Sequence, residues 1–600
     1  MDKVGFYLAQ GDPAGGAPTE ELIPATIVGL VVIALLFAFS IAHRSGRTSV
    51  LARLGDFSES VSGLPRWAAI PVSVTAGSLL IAVFGFYWDV ATHIDNGRDP
   101  GPFANPAHYL IIIGLGGIAL AGVIAILFGA EKSETTVQTA DGWHAPVGGV
   151  LLLVCGGIAV LGFPLDDVWH RLFGQDVTLW SPTHIQMVGG AALSTIALLV
   201  LLTEGTRAAL DRERVARINR FGMPAALGAL LLGFSAFQAE FDFSVPQFRL
   251  LYHPVLLMLS TSAALVAARM RLGRGGALKA VGFYLLIRVL LSVIVGPVLD
   301  HTTLHFPLYI VEAIAIELVA LRVGTEREMR FAMIAGAAVG TFGLAAEWLW
   351  SHLWMTMEWP ASLLPEGVIF GLVAALAGAS LGALIGRSIR PERRAERPLP
   401  RFAAPATALA IIAALAYPFP VNADLQGTAN VRLEEADRAG GRWVKPHISF
   451  EPEDAIEGLE WVKMTSWQGG GSYVEDLIEV EEGVYTTLKP VPVHGEWKTL
   501  LRIHGGNSIV AVPIFLPEDP GIPAPEVPAK ARFSRDFMSD KQIVLREAKD
   551  VDSSLTFAAS GVLALLVAGW ILSLAWGLRR IGPPTRRPPR GGRTATAPTG

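Results

Sequence analysis

Two stretches of the chain carry the same metal-ligand side chains in the same order. The first reads Asp89-x3-His93, then Arg98-Asp99, then Pro106-x-His108. The second reads Asp166-x3-His170, then Asp176, then Pro182-x-His184. Gly85-Phe86 opens the first and Gly162-Phe163 the second, with the glycine four residues ahead of the Asp each time. An Asp and a His at this spacing lie one turn apart on one helix face, so both heads reach one point. The last His follows a Pro suited to the first turn of a returning helix, which brings its ring back toward that point. Each copy therefore offers one carboxylate and two imidazoles, an open set with room for water, oxygen or substrate. Asp99 and Asp176 are expected behind the ligands, accepting free imidazole N–H groups, with Arg98 holding a carboxylate in place. The bland alternative is a pair of hydrogen-bonded interfacial loops, because Asp, His and Trp are common at membrane surfaces. Repetition of all three ligand types favours metal.

The run Asp166-Asp167-Val168-Trp169-His170, continuing to Ser181-Pro182-Thr183-His184, resembles the metal-site segment of the C subunit of copper membrane monooxygenases. Those enzymes oxidise methane, ammonia and short hydrocarbons. Their segment has Asp-x3-His, an Arg-Asp pair and a Thr-Pro-Ser-His that supplies the last ligand. The first copy keeps the pair as Arg98-Asp99 and ends in Asn105-Pro106-Ala107-His108; the second keeps only Asp176 of the pair. The loop before the last His is slightly longer in both copies. The resemblance covers two short segments, and neither the duplication nor an appended outer domain belongs to the family pattern. It implies copper at the outer membrane face and oxygen-dependent hydroxylation of a small apolar substrate. The residues by themselves leave iron or zinc open.

The elements that must position these ligands are membrane helices. Of 600 residues, 52% are hydrophobic and 17% charged, and mean hydropathy is +0.45, which describes a polytopic membrane protein. Apolar runs lie near 25–42, 67–87, 107–128, 145–163, 185–203, 223–239, 254–270, 280–298, 308–323, 331–350, 368–386, 403–419 and 556–578, predicting about thirteen transmembrane helices. Basic clusters follow alternate spans: Arg44, Arg47 and Arg53; Arg207 to Arg220; Arg269 to Lys279; Arg387 to Arg397; and the tail from Arg579. The positive-inside rule makes that side the cytoplasm of a bacterial-type plasma membrane. The expected order is an outer N-terminal tail (1–24), a helical domain (25–419), an outer β-sandwich domain (420–554), a last helix (555–578) and a basic cytoplasmic tail (579–600). The N-terminus is then outside, and the first span is an anchor without a basic leader region. The single cysteine, Cys155, excludes disulfides within the chain and thiolate metal sites.

The hairpin form recurs with looser spacing. The third hairpin offers Glu240, Asp242 and Tyr252-His253-Pro254; the fourth, Asp300, His301 and His305; the fifth, Glu347 and His352. These are possible further metal sites, or polar lids over helix ends. Arg288, Glu312 and Glu317 fall inside spans, where a charge costs at least about 2.5–3.5 kcal/mol and needs a partner or water. An Arg288–Glu317 ion pair is the structural expectation, and a polar path for protons or ions the functional one.

Beyond residue 420 the chain turns polar and strand-like. Residues 497–504 alternate, Gly505-Gly506-Asn507 turns, and 508–515 returns; strands are also expected at 443–450, 459–467 and 484–488. Trp443, Trp461 and Trp497 would fill the core. His447, His494, His504 and Met464 have no ligand spacing, so this domain reads as a lid or partner module. Its stretch from Tyr485 to His504, with Pro490-Val491-Pro492-Val493 and Gly495-Glu496-Trp497, loosely resembles small immunoglobulin-like domains beside copper-handling and oxidase-assembly proteins.

Three functions compete: a copper monooxygenase or a subunit of one; extracytoplasmic copper capture, transport or delivery to an oxidase; and a structural subunit. The expected partners are the lipid bilayer, other membrane subunits and a copper or electron donor such as a quinol, not nucleic acid.

Overall fold

The computed structural model describes residues 17, 19–99, 103–129, 135–174, 178–391, 402–419, 421–522, 524–544, 549 and 551–582. The first helices are α1 (Thr19–Arg44), α2 (Val50–Ser62), α3 (Arg66–Asn96), α4 (Pro106–Phe128), α5 (Val147–Phe173), α6 (Pro182–Ala208), α7 (Arg212–Ser235) and the short α8 (Ala239–Asp242). Then come α9 (Tyr252–Leu272), α10 (Gly276–Val293), α11 (Ile310–Val323), α12 (Glu328–Ala338), α13 (Leu344–Leu353), α14 (Leu364–Ser388) and α15 (Ala403–Ala416). α16 (Asp540–Val544) and α17 (Ser553–Ile581) close the described chain.

Among the described residues, 11 helical segments are long and apolar enough to cross a membrane, so the chain is a multi-pass membrane protein. The other two predicted spans are helices of 14 residues, α11 and α15. At 1.5 Å per residue each is about 21 Å long, short of a hydrocarbon core of about 30 Å. α11 is short because the segment before it is not helical. α10 ends in a π-helical turn, Ile294–Val298, and residues 299–309 then run without regular structure into the protein, burying Leu304, Phe306 and Tyr309. A second π-helical turn, Val339–Gly343, interrupts the span made by α12 and α13. α3 to α6 pack each against the next, and α3 also touches α6. α9 lies at the centre, against α7, α10 and α14. α1 exposes nearly its whole apolar surface, as a lipid-facing helix does.

A small hairpin, β1 (Val137–Ala140) and β2 (Trp143–Ala145), joins α4 to α5. The remaining strands are β3 (Thr428–Ala436), β4 (Trp443–Glu451), β5 (Trp461–Trp467), β6 (Ser472–Glu481), β7 (Val484–Thr487), β8 (Val491–Pro492), β9 (Lys498–Gly505), β10 (Ser508–Phe515), β11 (Arg532–Asp536) and β12 (Met538–Ser539). They form a separate antiparallel domain in the order β11-β3-β4-β7-β6-β5-β9-β10-β12, with β8 on β4. β6 pairs β5 along one half and β7 along the other, so the sheet folds over into a nearly closed sandwich. Its interior holds Val431, Ile448, Met464, Leu501, Ile503 and Val512. Trp443, Trp461 and Trp497 are buried too.

This domain is seated on the helices. Gln468 and Gly470 donate their backbone N–H groups to the carbonyls of Ile94 and Asp95 at the end of α3, each at 2.9 Å. Arg249 donates to the Gly506 carbonyl (2.8 Å) and Arg502 to that of Pro246 (2.6 Å).

Candidate metal centre

Glycine sets the helix spacing one turn before each Asp. A Cβ on Gly85 would lie 2.9 Å from Leu110 Cβ and 3.0 Å from the Ala107 carbonyl, and one on Gly162 would lie 2.6 Å from Met187 Cγ. At Gly85 a side chain would meet the α4 backbone and hold α4 off α3, while at Gly162 it would have to displace the Met187 side chain of α6. The returning helices start where a Pro at the first turn and a polar cap place them. Asn105 Oδ1 accepts from Ala107 N, and Ser181 Oγ from His184 N.

In the first copy Asp89, His93, Asp99 and His108 converge, with one ligand atom from each within 4.8 Å of all the others. His93 Nε2 lies 3.5 Å from Asp89 Oδ1 and 3.6 Å from Asp99 Oδ2. His108 Nε2 lies 3.0 and 3.7 Å from the same two oxygens. Asp99 was expected behind the ligands; it stands among them, giving this set a second carboxylate. Asn105 Nδ2 donates to Asp89 Oδ1 (2.7 Å) and Asp99 Oδ2 (3.1 Å), holding both acids in register.

In the second copy Asp166, His170 and His184 meet within the same limit. His170 Nε2 and His184 Nε2 each lie 3.6 Å from an oxygen of Asp166. Thr183 donates its hydroxyl to Asp166 Oδ1 (2.5 Å). Asp176 lies outside the described residues.

The tautomers follow from what the other ring nitrogens touch. A carbonyl only accepts, so Nδ1 of His93 donates to Gly97 O (2.9 Å) and Nδ1 of His184 to Thr178 O (2.6 Å). In the neutral ring the lone pair is then on Nε2, aimed at carboxylate oxygens. For His93 and His184 this sets acceptor against acceptor at 3.5–3.6 Å, repulsive without a cation between, whereas His108 Nε2, 3.0 Å from Asp89 Oδ1, is at hydrogen-bonding distance. Ligand atoms on a tetrahedral centre at about 2.1 Å stand about 3.4 Å apart, close to these separations. His170 Nε2 adds a buried ring nitrogen with no hydrogen-bond partner. The residues present fit a transition-metal ion.

The two sets are neighbours. His184 is within electrostatic reach of the Asp89 carboxylate. Phe163, from the second copy's lead-in, stands edge-on to His108 at 5.7 Å and 6.3 Å from Phe103.

The sequence presents Asn105 and Thr183 only as motif neighbours and Glu240 only as a ligand-like residue of a later hairpin, and it does not single out Thr178. Glu240 accepts from the Thr178 hydroxyl and Leu179 N, both at 3.0 Å, and so fixes the loop whose carbonyl orients His184. The signal for Asn105 and Thr183 was their place beside the helix-starting Pro. Glu240 stands out as an acid of the third hairpin, but nothing local ties it to the loop at Thr178.

Other expected roles change. Arg98 reaches out of the first set to Asp519 of the β domain at 3.0 Å, because the domain docks over the end of α3. Arg288 pairs with Asp242, not Glu317, since α10 packs on α7 and the acid lies in α8 just beyond it. Glu317 instead pairs with Arg269 at the end of α9 (2.9 Å). The later hairpins do not gather their ligand-like residues among the described residues. His301 bonds Asp95 (2.9 Å), His305 packs on Trp354 (5.0 Å) and His352 on Trp348 (4.4 Å). Asp300 sits at the turn after α10 with φ 60°. Glu347 accepts from Tyr309 N (2.8 Å), and His253 accepts from the Trp359 indole (3.0 Å). In the β domain, His447 pairs with Glu434 (2.9 Å), His494 lies beside Trp443 (6.1 Å) and His504 stacks on Trp461 (5.4 Å).

Comparison with protein-family models, with curated proteins and with solved structures finds no match to this chain.

Proposed function

We propose that the chain holds two transition-metal ions, copper in each, at neighbouring His/Asp sites on the membrane face that carries the β domain, and that this centre hydroxylates a small apolar substrate with oxygen. The observation behind this reading is the convergence of imidazole nitrogens and carboxylate oxygens, twice, with one buried ring nitrogen left without a partner. Asp89, His93, Asp99 and His108 would hold one ion, and Asp166, His170 and His184 the other. Bound copper would supply one-electron redox chemistry and an open position for oxygen. The chain's own residues do the rest. The carbonyls of Gly97 and Thr178 orient the rings, and Asn105 and Thr183 hold the carboxylates. Phe163 stands against His108 of the first set with Phe103 beside it, an apolar surface suited to a substrate that partitions from the bilayer. In this reading the β-domain face is extracytoplasmic, the C-terminus is cytoplasmic, and electrons come from a quinol or a partner protein.

A second reading, copper capture and delivery, is favoured by the closeness of the two sets and by a β domain docked beside one of them. One experiment separates the two. Copper-loaded protein in lipid is given a quinol, a short alkane and isotope-labelled dioxygen. Labelled alcohol, lost in His108→Ala, supports the oxygenase. Copper passing to an acceptor chelator without product supports delivery.

A further inference from the structure

Away from the metal centre, two carboxyls meet inside the helical domain. Glu312, in the first turn of α11, is fully buried, and Glu347 of α13 is 4% exposed. The two side chains contact each other. Their surroundings are unequal. Glu347 accepts from the backbone N–H groups of Tyr309 (2.8 Å) and Leu308, a setting for an anion. Neither oxygen of Glu312 accepts a hydrogen bond from the backbone or side-chain donors of other residues; the N–H that acts on this carboxyl is its own. Among the described residues no Lys, Arg or His is ion-paired with either acid. The other titratable groups near them are the phenols of Tyr309 and Tyr284, on which Glu347 acts, with the Arg288–Asp242 pair beyond Tyr284. Two touching carboxyls out of water hold one negative charge and share one proton. The hydrogen bonds put the charge on Glu347 and the proton on Glu312.

The backbone around the pair is irregular where a membrane protein rarely allows it. The π-helical turn Val339–Gly343 lies one turn before Glu347, and such turns concentrate at functional sites. A Cβ on Gly343 would lie 2.5 Å from Glu312 Cγ, so this glycine provides the space that Glu312 occupies. The segment 299–309 reaches the pair from the β-domain side. Its Thr302, Thr303 and His305 line a cavity of about 220 Å³ together with Ser244, Thr356 and Ser472. A few residues on, the same segment gives its N–H groups to Glu347.

We propose that Glu312 and Glu347 form an intramembrane site that binds one proton and exchanges it with the β-domain side along the 299–309 segment, giving the chain a proton-linked step separate from its metal centre. Acid, shared proton and open flank suit a proton better than a metal ion, because N–H donors already crowd the charged member.

The test uses the full chain in liposomes and dicyclohexylcarbodiimide, which reacts with protonated membrane carboxyls. The acid proton moves to a carbodiimide nitrogen, the oxygen bonds to the central carbon, and the adduct rearranges to a stable acylurea with no leaving group. Peptide mass spectrometry should find the label on Glu312, at a rate that falls as pH is raised on the β-domain side alone. In Glu312→Gln the label should vanish without moving to Glu347. Glu347→Gln, which removes the neighbouring charge, should shift the fall to lower pH. No label on Glu312 in folded wild-type protein, or a rate indifferent to pH on that side, would overturn the proposal.

Discussion

The two copies of the metal motif share their helical frame and differ in what lies around it. In the first, Asp99 joins the ligand group, Arg98 reaches Asp519, and the β domain bonds the last carbonyls of α3. In the second, Asp166 is the one carboxylate of its group among the described residues, and the end of α5 is held by other parts of the chain. Arg171 pairs with Asp167 (2.8 Å), and Lys549, ahead of α17, donates its backbone N–H to the Phe173 carbonyl (2.7 Å). A helix-turn spacing thus fixes which ligands meet, while the loop between the helices decides charge and cover. Two carboxylates favour a more highly charged ion state in the first set than a single one would.

The largest expected effect follows from the unequal carboxylates. Asp166→Asn removes the sole described carboxylate of its set and should weaken metal there by more than about 100-fold, beyond the 10–100-fold usual for loss of a supporting group. Asp89→Asn, with Asp99 still present, should cost less. Equal losses in metal titrations would remove the distinction between the copies. Next, Asn105→Ala should weaken the first set by about 10–100-fold and leave the second alone, because Asn105 touches only Asp89 and Asp99 among the acids. A matching loss in both sets would mean that they act as one site.

The β domain should be acid-sensitive, and with it the cover over the first copy. Burial, with Arg249 and Arg502 nearby, pushes His504 from 6.5 down to about 3. The folded domain therefore keeps this ring neutral, whereas the unfolded chain protonates it near pH 6.5. Stability from this group is complete above that pH and is lost as pH falls toward about 3, at up to about 1.4 kcal/mol per pH unit. His504→Phe should flatten that slope in thermal melts; an unchanged slope would assign the sensitivity elsewhere. Arg98→Ala has the smallest expected effect, about 1 kcal/mol or less on docking, since the pair is partly exposed. Hydrogen exchange should rise at Gln468 and Gly470 and stay unchanged around His170.

The sequence made the ligand groups legible because i, i+4 spacing, a lead-in glycine and a helix-starting proline are local properties. Thirteen apolar runs all become helices, although 308–323 and 403–419 are too short to span alone. Hydropathy could not foresee that residues 299–309 enter the protein as irregular chain. That segment changes which helices face each other, so Arg288 finds Asp242, Glu317 finds Arg269, and Glu347 finds Glu312 instead of a histidine. In the β domain, 443–450, 459–467, 484–488 and the hairpin 497–515 were readable from apolar alternation. β3, β6 and β11 were not, because acidic and basic residues on their exposed faces dilute that pattern. Arg98 went to the β domain for a reason no local pattern carries: its partner is 421 residues away.

The most direct test is elemental analysis of copper-loaded, purified protein, with wild type set beside His93→Ala, His170→Ala and the double variant. Two independent centres predict that each single variant loses the ion of its own set while the double loses both, with the fold kept in every case. Metal content unchanged in the double variant would contradict the account, and the convergent histidines would then be a hydrogen-bonded brace between helices.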